Sequence, residues 1–543
     1  MNGTPLMHSP RIYAFVQARL SSTRLPHKVL ATLPFNRERE ASILEHIFFR
    51  LSRVMEKEKI VFLIPDNEPE LESYISSRGW NIFVGSPEDV RSRFIRASEQ
   101  YEADIVIRVT GDNPLPDLEA VEMLIDAWLD PYNKMDLIYV SGLPLGMSLE
   151  SFSFRALQKS LNFRNSCHTE HVSLAIKENP ESYKIGSIPF LGGSDSLSKL
   201  RLTIDQKEDM EVMRKVFLIY LELSQDKESC ISLMSFSDIC KIYKLNPDTF
   251  SLNLSVEQVR FSLPDFQKSK SKVAIVYGEP ENFGSGHRER CRFLAARLTA
   301  RDFHCIGIPL GAMNSAITKK IEELQPSLVL WDVRDEEIPD SLRNLPVLAI
   351  DNYSNSIYNR SRLWEKIDLL PHPKSTNWKF FLPRLQPSTN SQKKSYVKQL
   401  LVYSGSLDEK DCMELDRFLV RKFSELQIFR VGDSASEFLK SRNRLTKKEW
   451  ISLLKESDFF LSYFGQSLME AVYFGLSVAT YSISPDHEKL SMWLFQKYRV
   501  PFWGSVRNLS LPDSDLFMKS ISLEVRDLEF CFLPKTPFQI LNP

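Results

Sequence analysis

No CxxC pair occurs in these 543 residues; the seven cysteines stand singly. That spacing excludes a zinc-finger site and a disulfide framework, and the odd count points to a reducing compartment. Net charge is nearly absent too, at a formal -1, which argues against bulk electrostatic capture of nucleic acid or an anionic membrane. No apolar run approaches the roughly 18–20 residues of a membrane helix, and the first residues lack the apolar stretch of a signal peptide. The expectation is a cytoplasmic protein without membrane insertion. Internal repeats and low-complexity tracts are also missing.

What remains is an ordinary globular composition, 43% apolar and 26% charged, in a chain long enough for two to four domains. Short apolar runs at 12–16, 60–64, 81–84 and 104–109 read as buried strands. Between them, 41–55 and 88–101 carry apolar residues at helical spacing. Strand–helix–strand alternation predicts an α/β fold with a parallel, doubly wound sheet and ligands at the C-terminal strand ends. The rhythm fades over 241–271, read as a linker, and resumes at Val273. Strands are predicted again at 328–332, 347–351, 400–404 and 459–463, and a Pro/Ser-rich hinge at 371–395. The resulting division is 10–240, the linker 241–271, then 272–385 and 386–543.

Three clusters in the first part carry chemistry. After the first strand, Gln17-Ala18-Arg19 leads through Ser21, Ser22 and Thr23 to Arg24 and Lys28. Arg19, Arg24 and Lys28 could grip a triphosphate; a solvated basic loop is the alternative. Arg108-Val109-Thr110-Gly111-Asp112 ends another strand, and Asp112 is placed either to hold Mg²⁺ or to cap its own loop as an Asx turn. Leu200–Asp205 reads as a strand whose last residue is a second metal candidate, with Glu208 and Asp209 as ordinary helix N-terminal charges.

These pieces form an ordered series: QARxxSTRLPxK, RVTGDNPLxD, PLGxxxExFSFxAL, TEHV and LRLTIDxxED over residues 12–215. The series resembles the spore coat polysaccharide biosynthesis protein F family, relatives of the CMP-KDO and CMP-sialic acid synthetases. The resemblance implies a Rossmann-like nucleotidyltransferase (GT-A-like) domain using CTP and Mg²⁺, with a sugar hydroxyl attacking the α-phosphate. It implies nucleotide contacts at Gln17, Arg19, Arg24, Lys28, Arg93 and Asp112, with Arg19 and Lys28 as catalytic candidates. Asp112 and Asp205 become metal ligands, and Glu150, Glu170 and His171 line the sugar side. A surface acid at Glu150 and a helix N-terminal pair at Glu170 and His171 are the plainer readings. A homodimer is one implied oligomeric option. The related loops usually carry glycine where this chain has Ser21 and His27.

In the second part, Gly284-Ser285-Gly286-His287 opens a helix over 288–300, either as a ligand loop bearing an acid–base histidine or as a plain helix start. Further on, Gly465, Ser467 and Glu470 begin another helix, whose N-terminus suits a diphosphate. GSGHxxR, Asp332-Val333-Arg334, LAIDN, YSGSxD and GxSxxEAxxFGLSV together resemble, more loosely, the UDP-sugar hydrolase of pseudaminic acid synthesis. That implies a GT-B-like pair of Rossmann-type half-domains, His287 as the base that directs water, and Asp332, Asp351 and Asn352 near the crevice. Phe464, Asn352 and the Asp486-His487 pair depart from the pattern at the UDP pocket. The expected activity is a bifunctional nucleotide-sugar enzyme of nonulosonic-acid-like surface polysaccharide synthesis. It charges a sugar acid with CMP and hydrolyses a UDP-linked amino sugar. A GT-B glycosyltransferase and a nucleotide-sugar-binding scaffold are the alternatives.

Overall fold

The computed structural model describes residues 9–510 and a few beyond, except 164, 194–196, 225–228, 257–263, 266, 268–269, 280–284, 311–313, 360, 376–379, 382–396, 406, 433, 435–437, 440 and 443–444; after 510 only 511 and 530–531 are described. The chain forms two compact units. One comprises 1–273 with 292–307, the other 274–291 with 308–543.

Among the described residues the first unit is built on β1 (Ile12–Gln17), β2 (Thr32–Pro34), β3 (Glu40–Ser42), β4 (Ile60–Pro65), β5 (Asn81–Gly85), β6 (Ile105–Thr110), β7 (Leu137–Ser141), β8 (Glu150–Ser153) and β9 (Ile185–Pro189). β2 and β3 form a small antiparallel ribbon, and the others make one sheet in the order β5-β4-β1-β6-β8-β7-β9. β1 and β4 are buried on both faces, as near-continuous apolar strands covered by helices should be. β5 is only half-buried because it is the edge strand, not the buried strand its apolar residues suggest. From β1 the chain winds outward through β4 to β5, then returns to place β6 on the other side of β1. Gln17 therefore sits opposite both Leu63 and Thr110, and the loops leaving β1 and β6 emerge together at a topological switch point.

Three further expectations are corrected. The sheet is mixed: β8 runs antiparallel to β6 and β7, while β9 is parallel to β7. The connection 142–149 is too short for a crossover, so β7 can only hand on to a reversed neighbour. The run Leu200–Asp205 is no strand of this sheet. It makes one bridge, Arg201 with Leu145, and then lies along the β6 loop, where Ile204 N–H donates to the Asp112 carbonyl at 2.9 Å. The segment 241–271 also begins in regular structure, because helix Phe236–Leu245 runs into it and the turn Pro247–Ser251 follows.

Helix Ile43–Val54 starts at a capping box, Ser42 with Glu45, and packs Ile43, Leu44, Ile47, Phe48 and Leu51 inward. Phe48 stacks on Trp80 at 4.3 Å. The same helix buries Arg50, whose guanidinium donates to the carbonyls of Pro116, Ile231 and Met234 at 2.8–3.1 Å. On the other face, Phe15, Phe94, Phe152 and their neighbours form one apolar cluster.

The second unit holds a second α/β region. One sheet runs in the order His304–Leu310, Lys272–Gly278, Leu328–Asp332, Val347–Ile350, Trp364–Ile367. A seven-stranded sheet is centred on Gln399–Gly405 and Phe459–Ser462, parallel except for its last pair. Among the described residues no helix is long and apolar enough to cross a membrane.

Arg50→Leu keeps much of the side-chain volume but leaves three buried carbonyls without a donor. It should lower stability by about 3 kcal/mol or more, read as a shift in the urea midpoint. An unchanged midpoint would contradict this account of the helix's anchoring.

Candidate functional site

The loop after β1 turns back at His27, whose φ of 56° lies in the left-handed region, and delivers Lys28 into the first unit. A glycine would take this φ without strain, whereas a side chain there costs roughly 1–2 kcal/mol. The Lys28 ammonium is nearly buried and meets three groups. It donates to Asp112 Oδ2 at 2.9 Å, to Asp205 Oδ1 at 2.9 Å and to the Ile204 carbonyl at 2.7 Å. Gly111 makes the approach feasible: a Cβ there would stand 2.9 Å from the Gln17 carbonyl oxygen. Burial alone would raise Asp205, but Lys28 and Arg201 outweigh it and hold its carboxyl below the ordinary carboxylate value.

Behind this node lies a residue whose role the sequence hid. Asp209 stands in the first turn of helix Lys207–Leu223, as expected of a helix N-terminal charge, and is buried there. It accepts from Arg201 Nε at 2.8 Å, from Asn253 at 2.9 Å and from the backbone N–H groups of Asp205 and Gln206. Arg201 in turn donates to Asp205 Oδ2 at 2.7 Å, so Asp209 fixes the carboxylate that Lys28 touches. The capping-box spacing from Gln206 to Asp209 was the available signal. Beside it, Arg24, Gln206, Lys207 and Glu208 line a cavity of about 320 Å³.

Around the end of β1 sits a second cluster. Glu150 is buried, not a surface acid; it accepts from Arg108 at 3.1 Å, from Ser173 at 2.7 Å and from Lys177. Burial pushes its carboxyl up, yet Lys177 and Arg108 more than offset that and hold it at about 2. Arg108 also reaches Gln17 Oε1 at 3.3 Å. Glu170 and His171 close the short helix Ser166–Glu170 at its C-terminal end, not its start. Glu170 meets Arg19 at 3.4 Å, both half-exposed, a pair worth little in water. Burial lowers the His171 imidazole, Glu170 opposes that, and Arg108 adds to it.

Arg93 is 1% exposed, and neither its Nε nor its Nη1 has a hydrogen-bond partner. Desolvation, with Arg19 nearby, lowers its pKa. Glu68 is a further residue that the sequence did not announce: its carboxylate accepts the N–H groups of Leu20 at 2.7 Å and Ser21 at 3.1 Å. Those contacts hold the loop in place.

In the second unit, His287 lies against Asp332 at 2.8 Å, and Arg290 bridges Asp332 and Asp351. A Cβ on Gly286 would stand 4.0 Å from Gln466 Oε1. Glu470 is fully buried, its carboxylate taken by the Trp450 indole at 2.7 Å and by Gln466 at 3.3 Å; Ser467 is buried beside it, and Gly465 caps the helix. Asp351 and Asn352 are likewise fully buried. Asn352 holds its own loop through Val333, Glu336 and Ser354.

The chain matches the cytidylyltransferase family over residues 13–260. It is 32% identical over 253 residues to the uncharacterized protein MJ1063 of Methanocaldococcus jannaschii, covering 46% of this chain and 96% of that one. It is also 32% identical over 245 residues to the spore coat polysaccharide biosynthesis protein SpsF of Bacillus subtilis, covering 44% and 95%. Among solved structures, a cytidylyltransferase from Leptospira borgpetersenii is 28% identical with a TM-score of 0.39, covering 46% of this chain and all of that one.

The Glu150 pairing sets a pH signature. Its folded pKa of about 2 lies below the ordinary 4.5, so its contribution is complete above about pH 4.5 and is lost as pH falls toward 2. Denaturation of wild type and Glu150→Gln across pH should show a constant gap above that window and a closing gap within it. A gap that widens on acidification would contradict the pairing.

Proposed function

Since the chain belongs to the cytidylyltransferase family through residues 13–260 and is a nucleotidyltransferase, we propose that this unit transfers CMP from CTP to a sugar acid. The observation that carries the reading is the convergence of Asp112 and Asp205 on Lys28 at the switch point of the sheet. Two partly exposed carboxylates suit a hard cation that fills its remaining positions with phosphate and water, so they would fit Mg²⁺ where it displaces the Lys28 ammonium now between them and frees Lys28 for phosphate. When bound there, Mg²⁺ would neutralise charge on the phosphates.

The chain's own residues do the rest. Lys28, Arg24 and Arg19 spread the negative charge that gathers on the departing pyrophosphate as the sugar hydroxyl attacks the α-phosphate. Arg93 supplies a desolvated guanidinium whose unpaired donors suit an anion, and Gln17 stands at the base of the same loop. Glu150 is too firmly ionised and paired to serve as a base near neutrality. It fixes Arg108 and Lys177 on the sugar side, where Glu170 and His171 complete the wall. The relatedness to SpsF supports a role in surface polysaccharide synthesis.

For the second unit we propose hydrolysis of a UDP-linked amino sugar with His287 as base. The His287–Asp332 contact favours this over a binding scaffold, because a histidine held by a buried carboxylate is arranged for proton transfer. Gly465 and the helix it opens would face the diphosphate, with Ser467 and Glu470 behind it.

Pyrophosphate release from CTP and Mg²⁺, assayed against a panel of sugar acids, tests the first assignment. Release should require one sugar acid and fall at least about 100-fold in Asp112→Asn. A folded wild-type protein that binds CTP yet releases nothing with any sugar acid would overturn it.

A further inference from the structure

His287 lies on helix Ser285–Ala300, and Asp332 ends strand Leu328–Asp332. The imidazole Nδ1 stands 2.8 Å from Asp332 Oδ1 and 3.0 Å from the Asp332 main-chain oxygen. Both partners are oxygens at hydrogen-bonding distance. The carbonyl is an acceptor by nature, and the carboxylate is one whenever it is ionised. Burial pushes Asp332 up, but Arg290 and His287 more than offset this and hold it at about 2. Arg290 Nη2, a donor, also comes within 3.4 Å of Nδ1, farther than either oxygen, so at Nδ1 the two acceptors outweigh it.

We infer that Asp332 is a positioning residue: it forces the neutral His287 ring into the tautomer with the proton on Nδ1, leaving the lone pair on Nε2. The assignment rests on the reading of the second unit as a hydrolase only for its consequence, not for its geometry.

Asp332 cannot easily turn away from this task. Its side chain is fully buried, and Arg290 grips it in a forked pair, with Nε on Oδ2 at 2.9 Å and Nη2 on Oδ1. The other arm of Arg290 reaches Asp351 Oδ2. Asp351 is locked from behind, because its Oδ1 accepts the N–H groups of Leu369 at 2.7 Å and Leu370 at 3.1 Å. The buried acids at 332 and 351 thus form a rigid mount for the histidine. In the hydrolytic step Nε2 takes a proton from water, whose oxygen forms the bond to the anomeric carbon. The bond from that carbon to the phosphate oxygen breaks, and its electron pair leaves with UDP. The ring is then an imidazolium with its Nδ1–H on an ionised carboxylate, which stabilises the charge it has gained.

Long-range ¹H–¹⁵N spectra of the histidine rings in the full-length protein, recorded at alkaline pH with ¹⁵N-histidine, test this directly. The His287 signals are identified by their loss in His287→Gln. The expected wild-type pattern has a protonated Nδ1 and an unprotonated Nε2. The reverse pattern, or averaging between the two, would overturn the inference without any variant. In Asp332→Asn, where circular dichroism shows a folded protein, the ring should shift toward the Nε2–H form. Release of UDP from UDP-linked amino sugars should then fall by up to about 10⁴-fold. An Asn variant that keeps both the wild-type tautomer and wild-type turnover would also overturn it. A wild-type spectrum of the expected kind, together with equal UDP release in wild type and His287→Gln, would sink the hydrolase reading and leave the tautomer assignment standing.

Discussion

One ammonium group, that of Lys28, holds the first unit's functional end together. Two carboxylates brought to one point repel each other and would drive one another toward protonation. Lys28 makes their proximity tolerable, and it can do so only because the sheet delivers both acids to it. Asp112 arrives because β6 pairs with β1 in a register that ends Thr110 opposite Gln17. Asp205 arrives because the segment before it lies on the β6 loop and Asp209 fixes its turn. Gly111, the left-handed His27 and the anchoring of Leu20 and Ser21 by Glu68 serve the same end. Each places a backbone so that charges separated by 84 and 177 residues can meet.

Cations and anions are distributed by depth. The most buried charges are committed to one another: Asp209 with Arg201, Glu150 with Arg108 and Lys177, Arg290 with Asp332 and Asp351. Removing one member of such a pair leaves its partner charged and desolvated, so these residues specify geometry more than they add stability. Arg50 is met by carbonyls instead, and Arg93 is buried with two nitrogens that have no partner among the described residues. A desolvated cation of this kind is a reason to look for an anion beside it.

Much of this was legible in the sequence. The apolar runs at 12–16, 60–64 and 104–109 became β1, β4 and β6, and the basic loop and Asp112 stand at their ends as strand–helix alternation requires. The direction of β8 was less visible, because it depends on the length of the connection from β7 and not on any residue within the strand. Leu200–Asp205 looked like a strand because it is apolar and extended, yet it bonds to loops. Asp209, Glu68 and Arg201 carried no strong local mark, since their partners come from distant segments. The surface-acid reading of Glu150 stayed open beside the sugar-side one for the same reason: Arg108 and Lys177, which offset its burial, are invisible to a local reading. In the second unit, Glu470 shows the converse. A glutamate one turn into helix Gln466–Tyr473 is fully enclosed, because Trp450 offers its indole N–H from behind.

We propose that Asp112 and Asp205 form a cation site that works together with the nucleotide. Binding of Mn²⁺, followed by electron paramagnetic resonance with and without CTP, tests it most directly in wild type and Asp205→Asn. The account predicts that CTP strengthens Mn²⁺ binding in wild type and that this strengthening is lost in Asp205→Asn, while the folded state is retained. Equal Mn²⁺ binding by the two proteins in the presence of CTP would contradict it.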